Sequence, residues 1–335
     1  MASKQAAKEA LEASSRSAQR LVADVGQRQT RILLERAQRD LQKRLDAALH
    51  RGLDEDSFTV VQLRVALEQV RAVLVPLTAG IRGVLVNNAA QAAERAASNA
   101  IAYLQKAERE FRGVSQPLAL DEARMLSAAS KGANASVLRR LASGPPGDPR
   151  RLGILQRYGV ETVGHFERIL QVGMIAKKSV KEMREDLTEA SPFLKAAPAH
   201  WAQRIVRTET MAAYNKGNAE SIKNANEQLG DMVKIISCVF DDRTGADSFA
   251  VHGEIRRPEE MFETWYGPVE HPPDRPNDRA TVTPHRLSWP IPPYLQWVDW
   301  DRVVARWQAE GRKGAPPDRP LMTTVPLHQF PGAGG

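Results

Sequence analysis

One cysteine, Cys238, stands in 335 residues. That excludes an intramolecular disulfide and any CxxC-type zinc site, and it suits a chain that folds in a reducing cytosol. Aromatic residues make up only 6%, and none interleaves with the charges of residues 16–51 as a base-stacking platform would require. The basic face there reads as a solvated helix face. The opening segment, MASKQAAKEALEASS, has no apolar core before a cleavage site, so no signal peptide is expected. The most apolar stretch, residues 60–86, is interrupted by Arg64, Glu68, Arg71 and Arg82. Four charges are too costly in lipid, so a packing helix of a soluble chain is expected, with no membrane partner. No HxxxH or HExxH pair fixes two metal ligands on one element.

What remains is rich in Ala, Leu, Arg and Gln. Lys and Arg outnumber Asp and Glu by 47 to 40, giving a net charge of +7. The excess favours nucleic acid or acidic protein surfaces as neighbours without making a DNA reader. In residues 3–51, Leu34, Ala37, Leu41, Leu45 and Leu49 recur at spacings of three and four, the narrow stripe of a long helix lying against a partner. Pro76 is expected to break or kink the following helix. Alanine-dense residues 87–111 and residues 121–142 read as further helices, and GPPGDP at 144–149 as a linker. Helical patterning then runs from about residue 151 to 229 with a break at Ser191-Pro192. At residue 232 the texture changes: MVKIISCVF is β-rich, and a hairpin or meander is expected to about 289. After Pro290 the Pro/Gly-rich chain reads as a loose tail with one short amphipathic segment at 297–307.

The fold class expected is therefore α+β, a long mainly helical N-terminal region followed by a small α+β module with a short antiparallel sheet. The expected division is a partner-binding helical region (1–143), a linker (144–150), a helical connector (151–190), the compact module (191–290) and the tail (291–335). Narrow-stripe helices bury themselves poorly, so self-association or ring assembly through the N-terminal helices is expected.

The chemistry-bearing residues concentrate in the module. DDRTGADSFAVHG at 241–253 and HPPDRPNDRATVTPHR at 271–286 bring aspartates, an Arg-Thr pair and three histidines together in the sequence. Asp241, Asp242, Thr244 and Asp247 around a glycine are good turn chemistry. Asp241, His252, His271, Asn277 and His285 together offer the donor types of a metal-dependent nuclease or other effector, at a spacing that specifies none. Glu209 falls on the apolar stripe of its helix with Trp201, Ile205 and Thr208 and needs a partner there, for which Arg243 is the candidate.

The order of these motifs resembles the phage head morphogenesis domain, the Mu F-like family of minor head proteins. The residues that carry the resemblance are Arg207, Thr208, Glu209 and Asn215 on one helix; Asp241, Arg243, Thr244, His252 and Gly253 after the β-rich run; and His271, Pro272, Pro273, Arg275, Pro276, Asn277 and Arg279 in the following loop. It covers roughly residues 195–290. Many members carry Asn-Cys-Arg-Cys where this chain has Asn277, Asp278, Arg279 and Ala280, so any metal or redox role of those cysteines is absent here. The resemblance implies a virion component, made in the host cytoplasm, that associates with the portal and other head proteins and takes part in capsid assembly and DNA packaging or delivery. Packaged DNA is a further neighbour. It implies no enzyme activity, no cofactor and no metal, and the polar residues become structural motif residues. The alternative is the nuclease or effector at 241–285.

Overall fold

The computed structural model describes residues 16, 20, 26–49, 59–113, 116–142, 154–190, 197–241, 243–275, 278–319 and 325. The expected linker at 144–150, the break at Ser191-Pro192 and Asn277 lie outside them. Among the described residues, the helices that precede the sheet and have both ends placed are α1 (Arg28–Leu49), α2 (Val60–Arg112), α3 (Glu122–Ala142), α4 (Ile154–Ile175), α5 (Val180–Ala190) and α6 (Ala197–Leu229). Then follow β1 (Met232–Ser237), α7 (Ala246–Val251), β2 (Ile255–Arg256), β3 (Phe262–Thr264), β4 (Gly267–Val269), β5 (Thr281–Arg286), a 3-10 turn (Pro293–Leu295) and α8 (Trp300–Ala309). The chain is α+β, with a long N-terminal helical region and a small antiparallel sheet, as its composition implies.

The chain forms two compact units that interleave in sequence. One comprises residues 24–87 and 137–206; the other 1–23, 88–136 and 207–335. In the first unit, α1 packs against α5. All five stripe residues, Leu34, Ala37, Leu41, Leu45 and Leu49, are buried there, which is the reason a helix forms over this otherwise polar segment. Capping follows local chemistry: Ser179 and Glu182 reciprocate, each accepting from the other's backbone N–H, at the start of α5.

Pro76 does not end its helix. α2 runs unbroken for 53 residues with the proline inside. Proline removes one intrahelical hydrogen bond, but Val73, Leu74 and Leu77 on either side are all buried, and that packing outweighs the local loss. α2 is also long and apolar enough, by length and composition, to cross a membrane.

The second unit holds the sheet, in the order β2-β1-β5, all antiparallel, with β3 and β4 as a separate hairpin. β1 is buried on both faces, and its alternation sorts two cores. Met232 and Ile236 join Leu104, Met125, Ile222, Phe262, Val282 and Trp289 on the side of the helices. Val233 and Ile235 join Ile255, Leu295 and Val325 on the other. The chain after Pro290 is thus not loose where it is described. Its 3-10 turn covers one face of the sheet, and Val298 and Val303 pack with Ala246, Phe249 and Ala250 of α7. Three tryptophans, Trp265, Trp300 and Trp307, lie against that cluster, and their apolar area explains why a Pro-rich segment orders itself on its own module.

Candidate functional site

The motif residues are positioned by the ends of β1 and β5 and by α6. β5 is an edge strand, and an edge exposes unpaired backbone groups. Asn215, fully buried on α6, lies along this edge. Its Nδ2 donates to Ala280 O at 2.9 Å, and its Oδ1 accepts from Val282 N–H at 2.9 Å. One turn on, Asn218 donates to Val282 O at 3.0 Å. The two amides do for the outer edge of β5 what another strand would do.

Beyond β1 the chain turns sharply at Asp241–Thr244. Asp241 accepts the Arg243 backbone N–H at 2.9 Å, and the Thr244 hydroxyl bonds to Val239 O. Arg279, two residues before β5, clamps the turn. Its two guanidinium nitrogens reach Asp241 at 2.7 and 2.5 Å, and one also reaches the Thr244 hydroxyl at 3.2 Å. This bidentate pair holds the Asp241 carboxyl far below the ordinary carboxylate range. Asp241, Thr244 and Arg279 are therefore one assembly, drawn from two motifs far apart in sequence.

His252 and Gly253 form a second assembly. The buried His252 ring accepts the Cys238 backbone N–H at Nδ1, 3.0 Å away, and hydrogen-bonds to the Tyr294 backbone. Burial pushes its pKa down to about 4, so it is neutral at pH 7. Gly253 has φ +84°, and a Cβ there would lie 2.9 Å from the Gln296–Trp297 backbone. Left-handed φ and close approach both require glycine. The Trp297 indole donates to Gly253 O at 3.0 Å.

His271 stays apart, half-buried beside Glu270, with Nδ1 2.7 Å from Pro272 O. His285 is fully buried in β5, edge-on to Trp289, and burial lowers its pKa to about 4. Among the described residues, no three His, Cys, Asp or Glu side chains converge to hold a metal ion. On α6, Arg207 and Thr208 are half-buried and Glu209 is only 2% exposed. Arg243, its candidate partner, is exposed.

Sequence reasoning placed Arg275 among the motif residues but missed that it is a hub. Its guanidinium reaches Asp247 at 2.6 Å, Asp274 at 2.6 Å and the Ser248 hydroxyl at 2.6 Å, joining α7 to the Pro-rich loop. It also missed Lys234, fully buried in β1, whose Nζ donates to Glu270 O at 2.9 Å and lies 4.8 Å from the centre of the Phe262 ring. Burial lowers this lysine to about 8. An isolated lysine inside a β-rich run was the only signal available.

The cleft at this site is small, about 30 Å³, and lined by Cys238, Arg243, Thr244, Ser248, Arg275 and Arg279 among others. The burial of His252 has a measurable consequence. A histidine whose folded pKa lies below its unfolded value of about 6.5 contributes stability that is complete above 6.5 and is lost as pH falls towards 4. His252→Ala should strand the Cys238 N–H, costing about 1–3 kcal/mol, and should make the stability profile between pH 6.5 and 4 less steep, with the buried His285 still contributing to it. Urea melts across that range check both effects. An unchanged midpoint at pH 7 would mean that the ring is not a structural acceptor.

No protein family, curated protein or solved structure matches the chain.

Proposed function

We propose that the chain is a phage minor head protein, which associates with the portal and takes part in capsid assembly and DNA packaging or delivery. The observation that carries this reading is the way the ordered motifs close on one another. Asn215 is spent on the edge of β5, Asp241 and Thr244 on Arg279, and His252 on the Cys238 amide. These are bonds that hold a frame. A rigid docking unit needs such residues, and Asn215, Asp241, Thr244, Arg279 and His252, which lie in the motifs that resemble the Mu F-like family, are its staples. The basic balance of 47 to 40 suits a place near packaged DNA.

The test is co-expression with the large structural gene beside it in its genome, followed by affinity capture and particle sizing. Co-purification in a ring-sized assembly is the expected result. A chain that stays alone, and that cuts DNA in the presence of divalent cations, would overturn the reading in favour of an effector.

A further inference from the structure

After α8 the chain doubles back. Gly311 and Gly314 take left-handed φ of +67° and +77°, and a Cβ on either would meet nothing within 4 Å, so no packing restrains the turn. Residues 312–319, RKGAPPDR, then lie on tryptophans without helix or strand of their own. Trp265, from the β3–β4 turn, stands edge-on to Trp307 at 5.6 Å and to Trp300 at 6.4 Å. Two of these indoles hold carbonyls of the segment: Trp307 Nε1 donates to Gly314 O at 3.1 Å, and Trp265 Nε1 to Asp318 O at 3.0 Å. Two guanidiniums complete the seat. Arg312 lies 4.7 Å from the centre of the Trp307 ring, and Arg319 lies 4.9 Å from that of Trp300 and donates to Val298 O. Residues 311–315, 317 and 318 are all exposed. Further on, Val325 is fully buried with Val233, Ile235 and Ile255 on the sheet.

These are the contacts of a bound peptide. Aromatic grooves take Pro-rich segments through indole N–H groups aimed at backbone carbonyls, and Pro316 and Pro317 limit the freedom such a segment loses on docking. The arginines on indole faces add side-chain selection. We infer that residues 311–325 form an exchangeable strap, and that the Trp265–Trp300–Trp307 face is a docking surface whose other occupant is the same strap of a second copy of this chain. The structure itself shows which segment fits the face. A strap from another copy makes identical bonds, so exchange costs only the opening of the Gly311–Gly314 turn and the loss of the tether. Reciprocal exchange yields a two-fold dimer, favoured as the chain is concentrated. This contact is separate from the association expected of the N-terminal helices and does not depend on the head-protein reading.

The test uses two full-length variants. Arg312→Glu with Arg319→Glu keeps the seat and weakens the strap; Trp265→Ala keeps the strap and damages the seat. Both lie outside the β1–β5 pairing, and thermal melts check that each is folded. Sedimentation velocity should show the wild type passing from monomer to dimer as concentration rises, and each variant staying monomeric alone. Their mixture should form a heterodimer, with the strap of the second seated on the first. A labelled peptide of residues 311–325 should bind the arginine variant, and Trp265→Ala roughly tenfold more weakly or worse. A wild type that stays monomeric, with no heterodimer in the mixture, would overturn the inference. Peptide binding without association of copies would do the same, since the strap would then be an intramolecular clasp. So would dimers that persist in each variant alone, which would place the contact on another surface.

Discussion

Asn215→Ala should destabilise the fold by about 2–6 kcal/mol, because two buried backbone groups lose their partners at roughly 1–3 kcal/mol each. The Val282 N–H and the Ala280 C=O face α6 in the interior, where Val282 is 2%, Ala280 3% and Asn215 0% exposed. The removed atoms also leave a void between helix and sheet. Asn215→Asp should be no milder. Its carboxylate still accepts from Val282 N–H but has nothing to donate to Ala280 O, and it places a charge where burial penalises it. Asn218→Ala, which strands one carbonyl, should cost about half as much or less. Urea or thermal melts of the three variants would order them, and an Asn215→Ala midpoint equal to the wild type would refute the edge-pairing role.

How much of this was legible in the sequence depended on whether a pattern was periodic or paired. The stripe from Leu34 to Leu49 repeats every three or four residues, and it is the buried face of α1. The β-rich run at 232–240 announced β1, and the hairpin or meander expected to about 289 takes in β5. Turn chemistry at Asp241–Thr244 was readable because it is local. What closed the turn was not, since Arg279 lies thirty-eight positions away and no spacing rule joins it to Asp241. The same limit hid Arg275 on Asp247. Pro76 misled because propensity is a weak prior where Val73, Leu74 and Leu77 on either side are buried. The chain after Pro290 misled for the opposite reason: Pro and Gly content reads as looseness, and the amphipathic pattern at 297–307 announced a short helix without saying that Val298 and Val303 would dock on α7 or that Leu295 would cover the sheet. Residues 88–112 and 122–136 gave no sign that they share a core with β1, because Ile101, Tyr103, Leu104 and Met125 set among alanines mark a buried face without naming what covers it.

Those same helices supply the second large effect. Glu108, 5% exposed on α2, sits under the end of β5, where it accepts from Arg286 at 3.0 Å and from the Trp289 indole at 2.9 Å with the same oxygen. Its other oxygen takes Arg112 at 3.3 Å, and Arg286 is completed by Asp231 at 2.8 Å. A carboxylate removed from such a site leaves a buried guanidinium half-compensated and an indole N–H with no acceptor. Glu108→Ala should therefore cost about 3–5 kcal/mol, the range for breaking one side of a buried ion pair. Glu108→Gln keeps an oxygen for Trp289 and should lose distinctly less, so the difference between the two separates the indole bond from the charge. Pairing Glu108→Ala with Arg286→Met should recover part of the loss, because the stranded charge goes with its partner. Chemical denaturation of the wild type, Glu108→Ala, Arg286→Met and the double variant reads the cycle directly, with Glu108→Gln measured beside them. Additive losses, with no recovery in the double variant, would mean that Glu108 and Arg286 do not act as a pair, and that α2 is held to the sheet by apolar packing around Leu104 and Trp289 alone.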